Sequence, residues 1–378
     1  MPEDTATLPL GGLSAAEFMA AHWQKRPLFV AGAVPEAGGV VDLETLFDLA
    51  QHPEAQTRRI ARKGEAWSVA HGPLRARQLA AKGVWTVLVQ GINHFLPEAD
   101  ALLRRFAFVP YTRLDDVMAS YATLGGGVGP HYDSYDVFLI QAHGARRWQI
   151  SGQADRALRA GQPLKLMADF RAEQTFDCQP GDLLYLPPGY AHEGVALDDC
   201  ITLSVGFRAP SHTELAREFL GWLADRVDIP GLYADPDLGA TPNPALVDAG
   251  MVQRVAGVLQ GIRWDDTAVA GFLCQYLSEP KSHVVFDPPE EILGETAFAR
   301  AAQRHGVALD LQTLMLYDAH SVYCNGEVLE SAPDLLPAVH GLADRRFVEG
   351  AEMTRALADK LYPLYLAGHL HLAAPSKP

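Results

Sequence analysis

The sequence predicts an α+β protein. A β-sandwich or barrel occupies the first half, helices follow it, and a mixed module of helices and short strands closes the chain. Three observations predict this. From Asp116 to Phe207 short apolar runs recur between Gly and Pro residues, the pattern of many short strands joined by turns. After Pro210 the apolar spacing becomes helical, in Leu215, Phe219, Trp222 and Leu223. Towards the C-terminus, β-rich runs at 314–317 and 321–324 alternate with helical stretches. A chain of 378 residues is long for one domain, and the shifts in pattern divide it at 1–210, 211–275 and 276–378.

The elements follow in order. Ser14 and Glu17 form a capping box, opening a helix through Phe18, Met19 and Trp23 that ends before Pro27. Residues 28–30 read as a short strand and 43–49 as a helix. The run 84–89 is β-rich, and 96–108 has helical spacing in Leu102, Leu103 and Phe106. Strands are expected at 136–140, 147–150, 183–186 and 201–205. Ser211 and Glu214 form a second capping box. A loop rich in Pro and Gly spans 230–244. Val252, Val255, Leu259 and Ile262 then mark an amphipathic helix. Residues 283–286 read as a strand that Pro288 and Pro289 break. The runs at 314–317 and 321–324, with Asn325-Gly326 next, read as a hairpin with a tight turn. Met353, Leu357 and Leu361 mark a late helix that Pro363 ends or kinks.

Composition bounds the function classes. With 48% hydrophobic and 20% charged residues the chain has enough apolar material for ordinary cores. Its 31 Lys and Arg against 46 Asp and Glu leave a formal net charge of −15. That argues against a nucleic-acid surface spread over the molecule and is compatible with a basic protein partner. Cys178, Cys200, Cys274 and Cys324 are far apart, with no Cys-x-x-Cys pair, so neither a disulfide framework nor a structural zinc site is expected. No secretory leader and no membrane-spanning run is evident, and a cytoplasmic setting is expected.

The chemistry concentrates in His131-Tyr132-Asp133 and His192. Two imidazoles and a carboxylate are the ligand set of the facial triad that holds non-heme Fe(II) with open positions. On a strand, His131 and Asp133 leave the same face. Gly181, Pro187, Gly189 and His192 fit the second cupin motif, except that Ala196 stands where the motif has Asn. Each ligating ring needs a further acceptor, for which Glu193 and Asp136 are near in sequence. The run Gly125-Gly126-Gly127-Val128-Gly129 lacks the Lys-Ser/Thr of a P-loop, and reads instead as backbone that must pass close to the site.

The chain resembles the JmjC-type, 2-oxoglutarate-dependent oxygenases of the bacterial ribosomal-oxygenase family, within it the arginine hydroxylases of ribosomal protein sixteen of the large subunit. The likeness rests on 22–28 (His-Trp-Gln-Lys-Arg-Pro-Leu), 115–118 (Asp-Asp-Val-Met), 125–131, 134–138 and 204–210 (Ser-Val-Gly-Phe-Arg-Ala-Pro). It implies a double-stranded β-helix, a helical dimerisation segment at 211–275 and a winged-helix-like module at 276–378. It also implies Fe(II), 2-oxoglutarate and O2, with hydroxylation of an arginine side chain of a large-subunit ribosomal protein. The far carboxylate of 2-oxoglutarate needs a cation, preferably Arg. Arg146 and Arg147 point to opposite faces of a strand, and the resemblance favours Arg146. Ser204, Tyr121 and Thr123 could add a hydroxyl. Asp115, Asp116 and Tyr135 could orient a guanidinium, although the two acids could equally cap a turn. The helical apolar stripes build a homodimer or pack on their own barrel. The acidic, Lys-poor C-terminal module reads as a protein-contact module rather than a nucleic-acid reader. Two other readings stay open: a JmjC oxygenase acting on His or Asn of another ribosomal protein, and a metal-binding cupin with no oxygenase activity, which has no need of a buried Arg146.

Overall fold

The computed structural model describes residues 8–373. The chain first lays down α1 (Ala15–Ala21), β1 (Leu28–Val30), α2 (Leu43–Gln51), β2 (Thr57–Lys63), β3 (Ala66–His71), α3 (Ala76–Leu79), β4 (Val84–Val89) and α4 (Pro97–Arg104). The barrel strands follow: β5 (Leu114–Ala122), β6 (His131–Tyr132), β7 (Val137–His143), β8 (Arg146–Ser151), β9 (Gln174–Cys178), β10 (Leu183–Leu186), β11 (Ala191–Ala196) and β12 (Cys200–Phe207). One antiparallel sheet orders β10-β7-β12-β5, and the facing sheet orders β6-β11-β8-β9. Apart from the β8–β9 hairpin, each connection between barrel strands carries the chain to the other sheet, which makes the barrel a double-stranded β-helix. The larger sheet runs on from β5 through β4 to β2 and β3, and β1 covers its other edge.

Sheet alternation places the core. Ile201, Leu203, Val205 and Phe207 of β12 point out of the barrel and join Phe18, Leu46 and Leu102 of the helices, with Phe106 just past α4, in one apolar cluster. A fully buried side chain of this size stabilises by roughly 1.5–3 kcal/mol. The alternate β12 positions, Thr202 and Ser204, face the barrel interior, where Thr202 Oγ1 donates to Gln141 Oε1 at 2.8 Å.

Tertiary contacts shorten α1. Its capping box at Ser14 and Glu17 is present, but the helix ends at Ala21, before Trp23. Gln24 is left-handed at φ 55°. There its backbone N–H donates to Tyr185 Oη at 2.8 Å and its Nε2 to Asp136 Oδ2 at 2.9 Å, while Tyr185 Oη donates to Asp136 Oδ1 at 2.6 Å. Asp136 is fully buried, and a helix continuing through Trp23 would forfeit these bonds. Asp136 is therefore a tie between the N-terminal segment and the barrel. Similarly, α4 stops at Arg104, short of the expected Phe108.

The remainder holds α5 (His212–Ala224), α6 (Ala249–Gln260), α7 (Asp266–Ser278), α8 (Glu295–His305), β13 (Val307–Leu309), β14 (Met315–Tyr317), β15 (Val322–Cys324), β16 (Glu327–Val328), α9 (Leu336–Arg345), β17 (Phe347–Val348), α10 (Arg355–Leu366) and β18 (Leu370–Leu372). The expected strand at 283–286 does not form. That segment is an irregular connection whose Val285 carbonyl accepts from Gln312 Nε2. β14 and β15 pair antiparallel as the expected hairpin, and Asn325-Gly326, both at positive φ, turn β15 on into β16. Pro363 sits in the last turn of α10 without ending it. The C-terminal elements have their own core, with Phe298, Val339, Leu357 and Leu361 fully buried. Among the described residues no helix is long and apolar enough to cross a membrane.

Candidate active site

β6 and β11 pair antiparallel with His131 opposite His192, and Asp133 follows β6 by one residue. The three side chains converge. Asp133 Oδ2 lies 3.9 Å from His131 Nε2 and 3.7 Å from His192 Nε2, and one ligand atom from each lies within 4.8 Å of the others. The carbonyl of Gly129 lies 2.9 Å from His131 Nδ1 and that of Tyr190 lies 3.0 Å from His192 Nδ1. A carbonyl only accepts, so each Nδ1 carries the proton and each Nε2 presents its lone pair to the gap. Burial, then the neighbouring His131 ring, lowers the His192 pKa to about 4, which keeps that ring neutral as a ligand must be. This donor set fits a divalent iron. The ring partners are backbone carbonyls, not the Glu193 or Asp136 side chains suggested by proximity in sequence.

The glycine run explains how β6 reaches this place. Gly125 N–H donates to the Ala196 carbonyl and Ala196 N–H to the Gly126 carbonyl, each at 2.9 Å. A Cβ on Gly127 would lie 2.2 Å from the Gly194 carbonyl oxygen. At Ala196 the backbone thus makes the hydrogen bonds, and the methyl packs with Ala122 and Cys200.

Arg146 and Arg147 separate as neighbours on a strand must. Arg147 points outward and pairs with Asp177 through two contacts of 2.6 Å. Arg146 points into the barrel and is 4% exposed. Its Nη1 donates to Ser120 Oγ at 3.3 Å, its Nη2 reaches Cys200 Sγ at 3.6 Å, and its guanidinium lies 5.6 Å from the Trp148 ring. Its Nε has no partner among the described residues. A buried guanidinium with no carboxylate beside it is costly unless a ligand supplies one.

The hydroxyl candidates divide by strand face. Ser204 faces the interior. Tyr121 and Thr123 do not, which corrects their assignment to the co-substrate pocket. Tyr121 lies in the outer core, donates to Asp199 Oδ2 at 3.0 Å, and has its pKa pushed up to about 12, chiefly by burial. Thr123 Oγ1 caps Gly83 and Trp85. The residue that meets Arg146 is Ser120, one position away. Once the pairing of β5 with β12 is fixed, the alternation that buries Val117 and Ala119 outward turns Ser120 inward.

Asp115 and Asp116 lie inside β5 and do not cap a turn. Asp115 is engaged by Lys281 Nζ at 2.8 Å and Arg208 Nε at 3.4 Å. Asp116 is buried, with both oxygens accepting from Gln90 Nε2 at 2.8 and 2.9 Å. Burial, then the Asp115 charge, raises its pKa to about 6. Tyr135 is partly exposed, and its hydroxyl bonds the Asp133 carboxylate. Burial of that hydroxyl raises its pKa foremost, with the Asp133 and Asp116 charges adding to it. The Tyr135 hydroxyl thus bonds the metal-ligand carboxylate and also feels the Asp116 charge.

Comparison with known proteins agrees with this architecture. Residues 101–215 match the JmjC domain and residues 261–371 a ROXA-like winged helix. The ribosomal protein uL16 3-hydroxylase of Escherichia coli is 31% identical over 357 residues, which is 94% of this chain and 95% of that protein. A probable ribosomal oxygenase of Haemophilus influenzae is 37% identical over 229 residues, 58% of this chain and 54% of that protein. The structure of YcfD, a ribosomal oxygenase from Escherichia coli, in complex with cobalt and 2-oxoglutarate superposes with a TM-score of 0.79 at 30% identity. The match covers 95% of this chain and 98% of that one.

Proposed function

The chain belongs to the JmjC-type ribosomal oxygenases, and from that premise we propose that it is an Fe(II)- and 2-oxoglutarate-dependent hydroxylase of an arginine side chain in large-subunit ribosomal protein uL16, acting in the cytoplasm. The observation that carries the reading is the buried Arg146, which has no carboxylate partner among the described residues, inside the same barrel as the His131, Asp133 and His192 triad. A metal-binding cupin that does not use 2-oxoglutarate has no use for such a cation.

His131, Asp133 and His192 would hold the iron and leave positions open. When bound, iron with 2-oxoglutarate and O2 supplies decarboxylation of the co-substrate to succinate together with insertion of one oxygen atom into a C–H bond. The protein does the positioning. Arg146 and Ser120 would take the far carboxylate of 2-oxoglutarate, with Ser204 on the same wall. Asp116 would accept the substrate guanidinium, and the Tyr135 hydroxyl would help orient it. Asp115 is neutralised by Lys281 and Arg208 and contributes less. The net charge of −15 favours encounter with a basic ribosomal protein, and the C-terminal module would serve protein contact rather than nucleic-acid binding.

The test is mass spectrometry of uL16 incubated with the protein, Fe(II) and 2-oxoglutarate in air. A gain of one oxygen atom, mapped to a single arginine, is expected. A gain on His or Asn of another ribosomal protein would move the target. No oxygen gain on any ribosomal protein, with no 2-oxoglutarate consumed, would defeat the reading.

The active unit would be a homodimer built on α5 and α6. No residue of α6 is buried. Val252, Val258 and Leu259 are more than half exposed, as are Leu220 of α5 and Trp264, and a cluster of exposed apolar side chains of this kind marks an interaction surface. A second copy of the same helices would cover it isologously. Val258→Asp with Leu259→Asp is expected to convert the dimer to a monomer in sedimentation equilibrium with the barrel intact. A dimer that persists would place the interface elsewhere.

A further inference from the structure

Asp116 poses a problem for any reading in which it receives a cation: burial and the adjacent Asp115 both favour its neutral form. We infer that Lys281, carried by the connection between α7 and α8, is a positioning residue for the substrate cation, because its ammonium stands between the carboxylates of Asp115 and Asp116 and holds Asp116 ionised. The inference rests on the reading of Asp116 as the guanidinium acceptor.

Lys281 Nζ lies 2.8 Å from Asp115 Oδ1 and 4.0 Å from Asp116 Oδ2. Asp115 has a second cation in Arg208, at the C-terminal end of the barrel. The Lys281 charge is therefore shared, and its removal would leave Asp115 still compensated and Asp116 not. Gln90 gives Asp116 hydrogen bonds but no charge. The other titratable groups nearby do not substitute. His94, below Gly91, has its pKa lowered to about 4, foremost by burial, and His283 is lowered for the same reason, so both rings are neutral near neutrality. The Tyr135 hydroxyl stays protonated, and Arg58 of β2 acts on Tyr135. A cleft of about 640 Å³ opens at this point, lined by Gln90, Asp115 and Lys281 together with Arg58, His71 and His283. Its wall is thus partly made by the segment that leads into the C-terminal module, and through Gln90, Asp115 and Lys281 it borders the buried Asp116 carboxylate.

The sign of the effect follows from which form binds. Ionised Asp116 accepts a guanidinium and protonated Asp116 does not, so affinity falls as pH drops through its pKa of about 6. Removing Lys281 moves that midpoint upward, and binding weakens at neutral pH but returns when the solution is made alkaline.

The experiment measures uL16 binding to the full-length protein loaded with Mn(II) and 2-oxoglutarate from about pH 6 to about pH 9. It compares wild type with Lys281→Met and Lys281→Arg. At about pH 7 Lys281→Met is expected to bind about tenfold more weakly, returning to within about threefold of wild type at about pH 9, whereas Lys281→Arg follows wild type. A carboxyl NMR titration should show the Asp116 midpoint higher in Lys281→Met, with no substrate present. Equal weakening at every pH would mean a structural role only and overturn the inference, as would unchanged binding at about pH 7. Absence of uL16 binding by wild type would overturn the substrate reading and this inference together. Normal wild-type binding with an unaltered Asp116 titration would overturn this inference alone.

Discussion

Arg146→Ala is expected to weaken 2-oxoglutarate binding by roughly 2–4 kcal/mol, about 30- to 1000-fold, while leaving the metal-loaded barrel folded. The magnitude follows from the surroundings. Arg146 has a hydroxyl, a thiol and an aromatic face for company, and its Nε has no partner. A dianion entering the barrel would give that guanidinium a carboxylate in a site closed to water, where a charged pair gains most relative to its absence. The same lack of a partner sets the second half of the expectation. Without co-substrate the arginine is a buried uncompensated charge, so its removal should leave the thermal midpoint of the free protein at or above that of wild type. Calorimetric titration of 2-oxoglutarate into the Mn(II) form, beside thermal melts with and without it, reads both effects. Arg147→Ala should change neither binding nor fold by much, since its pair with Asp177 is exposed on the outer face. If Arg147→Ala weakened binding and Arg146→Ala did not, the strand would be read one residue out of register.

Much of the barrel was legible because its signals are local. β10 is a continuous apolar run, and β7 and β12 are mostly apolar with a few polar residues, nearly all buried, as strands covered on both faces must be. The convergence of His131, Asp133 and His192 was legible for a related reason: a period of two fixes the first pair, and the Gly and Pro frame before His192 returns β11 to β6. What failed depended on partners distant in the chain. Trp23 lies outside α1 because Asp136 and Tyr185, far along the sequence, bind Gln24. Tyr121 was put forward for its hydroxyl alone and Ser120 was not considered, whereas which of the two faces the barrel interior depends on the pairing of β5 with β12. The ring partners of the two histidines were invisible because they are backbone carbonyls, which every residue has. Lys281 could not be connected with Asp115 and Asp116 at all, since only the folded connection after α7 brings it there.

His131→Ala and Asp133→Ala are each expected to reduce metal-dependent turnover to background with the fold retained. The triad supplies three donors from two strands, and losing one leaves two donors that cannot cap a face of the metal. Retention of the fold is expected because His131 and Asp133 lie at the barrel mouth, half-buried, with their apolar neighbours Val137, Leu139 and Ile150 packed independently beneath. The discriminating readout is stability rather than activity alone. A metal that binds only the native state stabilises it by RT ln(1 + [L]/Kd), about 2.7 kcal/mol at a hundred times Kd. Wild type should show that gain in denaturant unfolding when Fe(II) is added without oxygen, and Asp133→Ala should show almost none. Both proteins should unfold alike without metal, because the carbonyls of Gly129 and Tyr190 hold the rings whether or not the carboxylate is present. An Asp133→Ala protein that still gained stability from Fe(II) and still turned over would remove this carboxylate from the metal site. The acidic ligand would then have to be sought elsewhere, although among the described residues no other such grouping of His, Cys, Asp or Glu converges.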